Sequence, residues 1–335
     1  MMKKTIRRLG ALAMVLAMAV SVFAVNASAA GTVNKSQDVT ITKNITTANE
    51  KVRVPGATYT FTITAGDPDS ARNIYAGEMD AISQAANDIV FTEGGAKTGN
   101  TTFTITAEKF TKPGIYRYTV TETVSSPTTG VDGMTLAGAK TLLVYVEQVG
   151  GVNSIAAVIV DGVDDNDKSD FSFTNTYNTN NVTVKKEIEG NQADLSAKWA
   201  FTITVTGQPG EKFATDYTDP TTNENVVLTT GVPATVYLGD DETITIYGLS
   251  ESDTYIVKED KHNTDGYETK IDGVKTTTGE ASGNAKTDDV SIVYTNTKQI
   301  TTPGGVIMTI APYALMLVVA GAFAVVFLSR RNRAE

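Results

Sequence analysis

Cysteine is absent from the 335-residue sequence, and histidine occurs only once. The lack of cysteine excludes disulfides, thiol nucleophiles, thioesters and cysteine-based zinc sites. The single histidine, His262, lies in the polar stretch EDKHNTDG, which favours a solvated turn over a Ser-His-Asp triad. Neither a GxGxxG motif nor a P-loop is present. The sequence therefore lacks most residue sets that conventional enzymes use, and we predict no cofactor and no metal centre.

Basic residues are the scarcer charged class, with 28 Lys and Arg against 38 Asp and Glu. The resulting net charge of −10 argues against nucleic acid and anionic membrane surfaces as partners. Tryptophan also occurs once, as Trp199 in the alternating stretch KWAFTITV, where a core position is favoured over a ligand contact. Composition thus points away from nucleic-acid binding and from an exposed aromatic binding site.

Residues 1–30 have the pattern of a secretory signal peptide. A basic start precedes an apolar run from Leu9 to Val25, and the small-residue cleavage site Ala27-Ser28-Ala29 follows. The alternative, a retained N-terminal membrane anchor, is disfavoured by that cleavage site. We therefore expect the chain to leave the cytoplasm.

The C-terminal residues 301–335 predict a membrane-held sorting segment. The apolar run 306–328 is long enough to cross a bilayer as a transmembrane helix, and Arg330, Arg331 and Arg333 follow it as a positive-inside stop. A glycolipid-anchor signal would lack this terminal basic cluster. We therefore expect the region between the two ends to be displayed outside the cell.

The region between the ends consists of short alternating stretches separated by Gly, Pro, Asn and Asp turns. TYTFTIT and YRYTVTETV in the first half have counterparts in WAFTITVTG and TYIVKED in the second. This internal repeat predicts an all-β fold of two tandem immunoglobulin-like β-sandwiches, residues 31–178 and 179–300. Only AGEMDAISQAANDI, residues 76–89, predicts a helix, as an insertion in the first domain.

Each repeat carries one Lys, one Glu and one Asn in phase with an apolar strand face. Residues two apart on a strand share a face, so these polar side chains are predicted to point into the core. The two sets are Lys43, Glu122 and Asn175 in the first domain and Lys186, Glu259 and Asn296 in the second. Lys185 has the opposite phase and is predicted to be exposed.

Burying three polar groups is costly unless they satisfy one another. Desolvation would lower the pKa of the lysine and raise the pKa of the glutamate. A neutral amine could then attack the asparagine carboxamide, while the glutamate relays protons and helps ammonia leave. The predicted product is a Lys–Asn isopeptide bond, formed once per site without turnover. The alternative is a purely structural Lys–Glu ion pair beside a hydrogen-bonded Asn, and duplication of the pattern favours the bond.

These stretches resemble Gram-positive sortase-assembled pilins, close to the streptococcal backbone pilins with two isopeptide-linked, immunoglobulin-like (CnaB-like) domains. YTVTET around Glu122 and YIVKEDKHNTDGY around Glu259 resemble the glutamate motif of that family, although the first lacks its Gly-Tyr and the second has one extra residue before it. VTITK and VTVKK resemble the family's lysine strand, and FTNTY and YTNTK resemble its asparagine strand. The resemblance covers almost the entire chain.

The resemblance implies that sortase cuts a pentapeptide before the membrane segment and joins the new carboxyl terminus to a lysine of the next subunit. The stretch in that place is TTPGG, formed by Thr301, Thr302, Pro303, Gly304 and Gly305. It keeps the family's proline and final glycine, but Gly304 stands where the family usually has threonine. The alternative is a flexible spacer before a plain membrane anchor.

In two-domain relatives the acceptor lysine lies shortly before the first bonding asparagine, which implies Lys168 in DNDKSDFSFTN. A lysine in an acidic, solvated loop is the alternative. Ca²⁺ binding by Asp164, Asp165 and Asp167 is a further one, but their spacing does not fit an EF-hand.

The sequence as a whole predicts a structural shaft subunit of a covalently polymerised pilus on a Gram-positive cell, made as a membrane-anchored precursor. The implied partners are a class C-type or related sortase, identical pilin subunits, accessory pilins and cell-wall peptidoglycan. The alternative is a wall-anchored adhesin that binds a host or matrix ligand and never polymerises. A surface hydrolase has no support in the residue inventory.

Overall fold

The structure is a computed structural model that describes residues 32–83, 88–125, 131–161, 171–300 and 315–323. Alternating Thr, Val, Ile and aromatic residues form strands throughout this part of the chain, because β-branched and aromatic side chains suit a half-buried pleated surface. The strands build two successive β-sandwiches, each with its own hydrophobic core. The predicted all-β, two-domain fold is confirmed.

The first sandwich packs a sheet of order β5-β1-β10-β7 against a sheet of order β4-β2-β6-β8-β9, with β3 also paired to β6. Its strands are β1 Ser36–Thr47, β2 Ala57–Ala65, β3 Ile74–Ala76, β4 Asp88–Phe91, β5 Thr98–Thr106, β6 Gly114–Ser125, β7 Met134–Thr135, β8 Lys140–Val149, β9 Val152–Asp161 and β10 Ser172–Tyr177.

The second sandwich packs a sheet of order β14-β13-β16-β11-β21-β18-β19 against a sheet of order β15-β12-β17-β20. Its strands are β11 Asn180–Glu189, β12 Trp199–Thr206, β13 Lys212–Thr218, β14 Asn225–Thr229, β15 Ala234–Leu238, β16 Thr243–Leu249, β17 Thr254–Glu259, β18 Glu268–Ile271, β19 Val274–Lys275, β20 Glu280–Asn284 and β21 Val290–Thr297.

The first and last strands of each domain are hydrogen-bonded neighbours that run parallel. In the first domain β1 pairs with β10, and in the second β11 pairs with β21. Parallel partners cannot be joined by a tight turn, so the rest of the domain lies between them in sequence. This pairing brings residues that are more than 100 positions apart onto one sheet face.

The two cores are built around an equivalent aromatic contact between the facing sheets. Phe61 on β2 meets Phe173 on β10 edge-to-face, with ring centroids 5.0 Å apart. Phe201 on β12 meets Tyr294 on β21 in the same way, also at 5.0 Å. Edge-to-face packing of buried rings contributes beyond their burial. These contacts fix the separation of the sheets beside the last strand of each domain.

The helix predicted over residues 76–89 is wrong for the described part of that stretch. Ile74–Ala76 pairs with β6 as a strand, Met79–Ala81 forms a single turn of 3₁₀-helix, and Asp88–Phe91 is a strand again. Ile82 is buried and bridges to Ile105, so pairing of β-branched residues overrides the local helical pattern. Residues 84–87 lie outside the described ranges.

The predicted signal peptide and most of the predicted membrane span lie outside the described residues. Residues 315–323 are helical. None of the helices in the described part of the chain has the length and apolar character that a membrane crossing needs.

A cluster of buried acids lies where the two domains meet. The hydroxyl of Tyr177, at the end of β10, donates a hydrogen bond of 2.8 Å to Oε1 of Glu211 in the second domain. Glu211 and Asp253 are both buried, and Ser250 donates its hydroxyl to Asp132 of the first domain at 2.8 Å. Burial, together with the nearby Asp253, raises the pKa of Glu211 to about 7. Burial also raises the pKa of Asp253 to about 6.

We predict that Glu211 makes the protein more stable in mild acid than at neutral pH. Its pKa lies above the ordinary value in the folded state, so the stabilisation is complete below the unfolded value and is lost as the pH rises through about 7. Glu211→Gln should remove this loss, because an amide can accept the Gln208 N–H and donate to Tyr177. The variant should gain on the order of 1–3 kcal/mol of unfolding free energy at about pH 8 and little at about pH 4, below the ordinary carboxyl pKa.

Denaturant unfolding at the two pH values measures this difference. Glu224→Gln, at an exposed position of the same domain, is the matched control and should change neither value. An equal pH dependence in Glu211→Gln and the wild-type protein would contradict the assignment.

Two buried lysine, glutamate and asparagine clusters

The first cluster lies in the core of the first domain. Lys43 on β1 and Asn175 on β10 come from one sheet, and Glu122 on β6 comes from the facing sheet. The side chains of Lys43 and Glu122 are fully buried, and Lys43 Nζ lies 3.2 Å from Glu122 Oε1. The lysine also donates to the backbone carbonyls of Asn44 and Phe173, at 2.9 and 3.0 Å. The predicted residues therefore meet inside the sandwich.

Strand register explains why Lys43 and Asn175 face each other. In the parallel pair, Lys43 is opposite Phe173, and Ile45 is opposite Asn175. Lys43 and Asn175 are thus offset by two residues, and an even offset keeps both side chains on the same face. A shift of one residue would turn one of them to solvent.

The second cluster repeats this arrangement in the second domain. Lys186 on β11 and Asn296 on β21 come from one sheet, with the same two-residue offset, and Glu259 on β17 comes from the other. Lys186 Nζ lies 3.2 Å from Glu259 Oε1, and both side chains are fully buried. The neighbouring Lys185 is instead half-exposed and pairs with Glu187 and Asp241, as its opposite phase predicts.

Burial dominates the electrostatics of both clusters. Desolvation lowers the pKa of Lys43 and that of Lys186 to about 8, and in each case the partner glutamate opposes the shift only in part. Desolvation also raises the pKa of Glu122, with Lys43 opposing it. The two shifts reduce the cost of moving a proton from Lys43 to Glu122. In both domains the neutral, nucleophilic form of the lysine is more accessible than it is for a lysine in water.

An aromatic ring packs against each buried amine. Lys43 Nζ is 4.9 Å from the ring centre of Tyr59, and Lys186 Nζ is 5.0 Å from that of Trp199. Trp199 is only 8% exposed and packs edge-on against Tyr267. Trp199 therefore lies in the core, as predicted, and its ring shields the amine of Lys186 from water.

The two asparagines have different polar partners. Oδ1 of Asn175 accepts a 2.8 Å hydrogen bond from the backbone N–H of Ala137. Nδ2 of Asn296 donates to Glu259 Oε1 at 2.8 Å, and the Thr269 hydroxyl donates to the other carboxyl oxygen at 3.2 Å. Sequence reasoning missed both additions. Thr269 could be found only by knowing that it pairs with Asn296 on the neighbouring strand. The Ala137 N–H could not be found from the sequence, because every residue except proline has a backbone N–H.

Several predicted residues cannot be placed. Lys168, the acidic residues around it and Thr301 to Gly305 lie outside the described ranges. His262 is described, and both of its ring nitrogens lie 3.2 Å from backbone carbonyl oxygens, an arrangement that serves the turn. Among the described residues, no group of three or more His, Cys, Asp or Glu side chains is suited to hold a metal ion.

The fold and the paired clusters define a protein of two tandem β-sandwiches, each with a buried Lys, Glu and Asn. Residues 39–178 match the family described as the Spy0128-like isopeptide containing domain. Residues 180–298 match a family described as a domain of unknown function. The first match covers the strands that carry Lys43, Glu122 and Asn175.

The chain is similar to streptococcal pilins over most of its length. A pilin of Streptococcus pyogenes serotype M1 is 27% identical over 320 residues, which are 90% of this chain and 93% of that protein. The crystal structure of the major pilin from S. pyogenes superposes with a TM-score of 0.54 at 22% identity, covering 80% of this chain and 99% of that one. The T3.2 major pilin of S. pyogenes gives 0.51 at 23%, covering 79% and 99%. The predicted resemblance to streptococcal backbone pilins is confirmed.

We predict that removing one charge of the second cluster costs more than removing both. In an Asn296→Ala background, which cannot form a bond, Lys186→Met should lower the unfolding free energy by about 3–5 kcal/mol because Glu259 is left buried without its partner. Adding Glu259→Gln should recover part of that loss. Urea unfolding followed by the fluorescence of Trp199 measures each step.

The half-exposed neighbour supplies the control for this series. Lys185→Met should cost far less than Lys186→Met, because surface ion pairs contribute little. A double variant as unstable as Lys186→Met alone would show that charge burial is not the source of the cost.

Proposed function

We propose that the chain is a structural shaft subunit of a covalently polymerised pilus. The observation that carries the proposal is the duplicated burial of an ion-paired lysine on the first strand of each domain, beside an asparagine on the last. Similarity to the pilin of S. pyogenes over 93% of that protein supports it. The same similarity favours a shaft subunit over a non-polymerising adhesin.

Each domain cross-links itself. The lysine amine attacks the asparagine carboxamide, a bond forms between Nζ and Cγ, and the bond between Cγ and Nδ2 breaks. Lys43 joins Asn175 with Glu122 as proton relay, and Lys186 joins Asn296 with Glu259 as proton relay. The glutamic acid transfers a proton from Nζ to the departing Nδ2, so that one ammonia leaves and the acid is regenerated. The protein acts only on itself, once per site.

The cross-link suits a protein that has no cysteine. It closes a chain segment of more than 100 residues between the first and last strands, and restricting the unfolded chain over such a loop stabilises the fold by about 5 kcal/mol in the chain-entropy model. An amide cross-link also resists reducing agents. In a fibre subunit, this cross-link joins the two strands through which the chain enters and leaves each domain, so it resists unfolding when the fibre is pulled.

Polymerisation uses the C-terminal sorting segment of one subunit and an internal lysine of the next. The signal peptide directs export, and the C-terminal segment holds the precursor in the membrane until a class C-type or related sortase cleaves between Gly304 and Gly305. The new carboxyl terminus is joined to Lys168 of an identical subunit. Accessory pilins and cell-wall peptidoglycan are the remaining partners, and the product is a pilus on the surface of a Gram-positive cell.

We expect the recombinant body, residues 31–300, to weigh less than its sequence by two molecules of ammonia. Glu122→Gln and Glu259→Gln should each restore one ammonia, because a Gln side chain cannot relay the proton, and each should lower the melting temperature. Intact-mass spectrometry of the denatured protein makes the measurement.

Adjacent lysines give the matched control. Lys186→Ala should restore one ammonia, whereas Lys185→Ala should leave the mass deficit of two unchanged. A wild-type mass equal to the uncorrected sequence would refute the cross-links.

We expect cell-wall extracts of the native host to show a ladder of high-mass species that resists SDS. Lys168→Arg should abolish the ladder, because arginine keeps the charge but offers no amine nucleophile to sortase. Lys109→Arg, at an exposed position of the first domain, should preserve it. A single band from wild-type cells would favour the adhesin, and a ladder that survives Lys168→Arg would place the acceptor elsewhere.

A further inference from the structure

The two clusters differ in how the asparagine carbonyl oxygen is held. In the first domain, Asn175 is fully buried and its Oδ1 accepts the Ala137 backbone N–H at 2.8 Å. A backbone N–H can only donate, so the contacting atom of the carboxamide must be its oxygen. In the second domain, Oδ1 of Asn296 has no hydrogen-bond partner within the described ranges. The first cluster thus has a donor at the carbonyl oxygen that the second lacks.

Strand pairing fixes the position of this donor. Ala137 lies just after β7, which pairs antiparallel with β10 through Thr176 opposite Thr135 and Tyr177 opposite Met134. Just before β7, the Gly133 carbonyl accepts hydrogen bonds from the backbone and side-chain N–H groups of Asn178, which follows β10. The segment that carries the Ala137 N–H is therefore aligned along the strand of Asn175 before any reaction occurs.

The remaining polar atoms of Asn175 are arranged for the departure of ammonia. Among the described residues, Nδ2 of Asn175 has no hydrogen-bond partner, and the Glu122 oxygens have none apart from their ion pair with Lys43. The Asn175 amide nevertheless lies close enough to Glu122 to oppose the rise of that carboxyl's pKa, so Glu122 is the group beside the amide nitrogen when it receives a proton. The carbonyl oxygen is held by a backbone donor, whereas the leaving group faces the proton relay.

We propose that the Ala137 backbone N–H is the oxyanion donor for the cross-link between Lys43 and Asn175. This inference rests on the proposed isopeptide chemistry. Attack of Nζ on Cγ moves the carbonyl electron pair onto Oδ1, and the N–H stabilises the negative charge that develops there. The pair returns as Cγ–Nδ2 breaks, and the proton taken from Nζ leaves on ammonia by way of Glu122. A donor of this kind contributes roughly 10²–10³-fold to the rate.

In the second domain, side chains make the hydrogen bonds to the carboxyl group of Glu259. The Thr269 hydroxyl holds one oxygen of Glu259, and the other oxygen faces the Asn296 carboxamide. Glu259 therefore contacts the nitrogen of Asn296 that leaves as ammonia, and it does not contact the carbonyl oxygen. The two cross-links of one chain accordingly depend on different residues, and loss of the Ala137 N–H affects only the first.

The test follows both cross-links in the same molecule. The full chain is made by cell-free translation and denatured in acid at set times, and the peptides that join Lys43 to Asn175 and Lys186 to Asn296 are quantified by mass spectrometry. Ala137→Pro, which removes the N–H, should slow the first cross-link by roughly 10²–10³-fold and leave the second unchanged. Ala137→Ser keeps the N–H and should react at the wild-type rate in both domains.

A second variant separates catalysis from folding. Replacing the amide between Leu136 and Ala137 by an ester also removes the N–H, and it imposes no ring constraint on the chain. In a Glu122→Gln background the ester protein should still unfold in one cooperative transition, with only a modest loss of stability for the missing hydrogen bond. Its first cross-link should nevertheless form slowly when Glu122 is present. An unchanged first rate in the ester protein would overturn the inference. Absence of both cross-links from the wild-type chain would instead refute the proposed function.

Discussion

The structure depends on one constraint, which is that the first and last strands of each domain lie side by side and parallel. That pairing closes the sandwich and places a lysine and an asparagine on the same inner face, two residues out of register. The facing sheet then supplies the carboxylate that pairs with the buried amine, Glu122 in one domain and Glu259 in the other. Without the parallel pair, each lysine would keep its glutamate but would have no asparagine beside it.

Desolvation acts at two kinds of place in this molecule. Within the first core it lowers the pKa of Lys43 and raises the pKa of Glu122, which reduces the cost of proton transfer between them. At the junction of the domains, burial raises the pKa of the carboxyl groups of Glu211 and Asp253. The first arrangement favours proton transfer during the proposed cross-linking reaction. The second makes the contact between the domains sensitive to pH.

The two domains share a plan but not every contact. Their aromatic pairs, ion pairs and strand offsets coincide, whereas the groups around the asparagines do not: a backbone N–H holds Asn175, and Thr269 supports Glu259. Side-chain identity is repeated in the sequence, so the lysine, glutamate and asparagine could be found by comparing the repeats. Loop geometry is not repeated, so the contacts of Ala137 with Asn175 and of Thr269 with Glu259 could not be found in this way. The helix expected over residues 76–89 fails for a related reason, because pairing with distant strands outweighs local pattern.

The sequence by itself determined the strand content, the duplication and the inward phase of six polar residues, because a period of two on a strand depends only on neighbouring positions. Trp199 in the core and Lys185 outside it follow from the same rule. Only the tertiary structure decided that the lysine and the asparagine lie on one sheet and the glutamate on the facing sheet. It also decided that the Ala137 N–H donates a hydrogen bond to Asn175. These facts depend on which distant strands pair and in what register, and that is settled by packing of the whole sandwich.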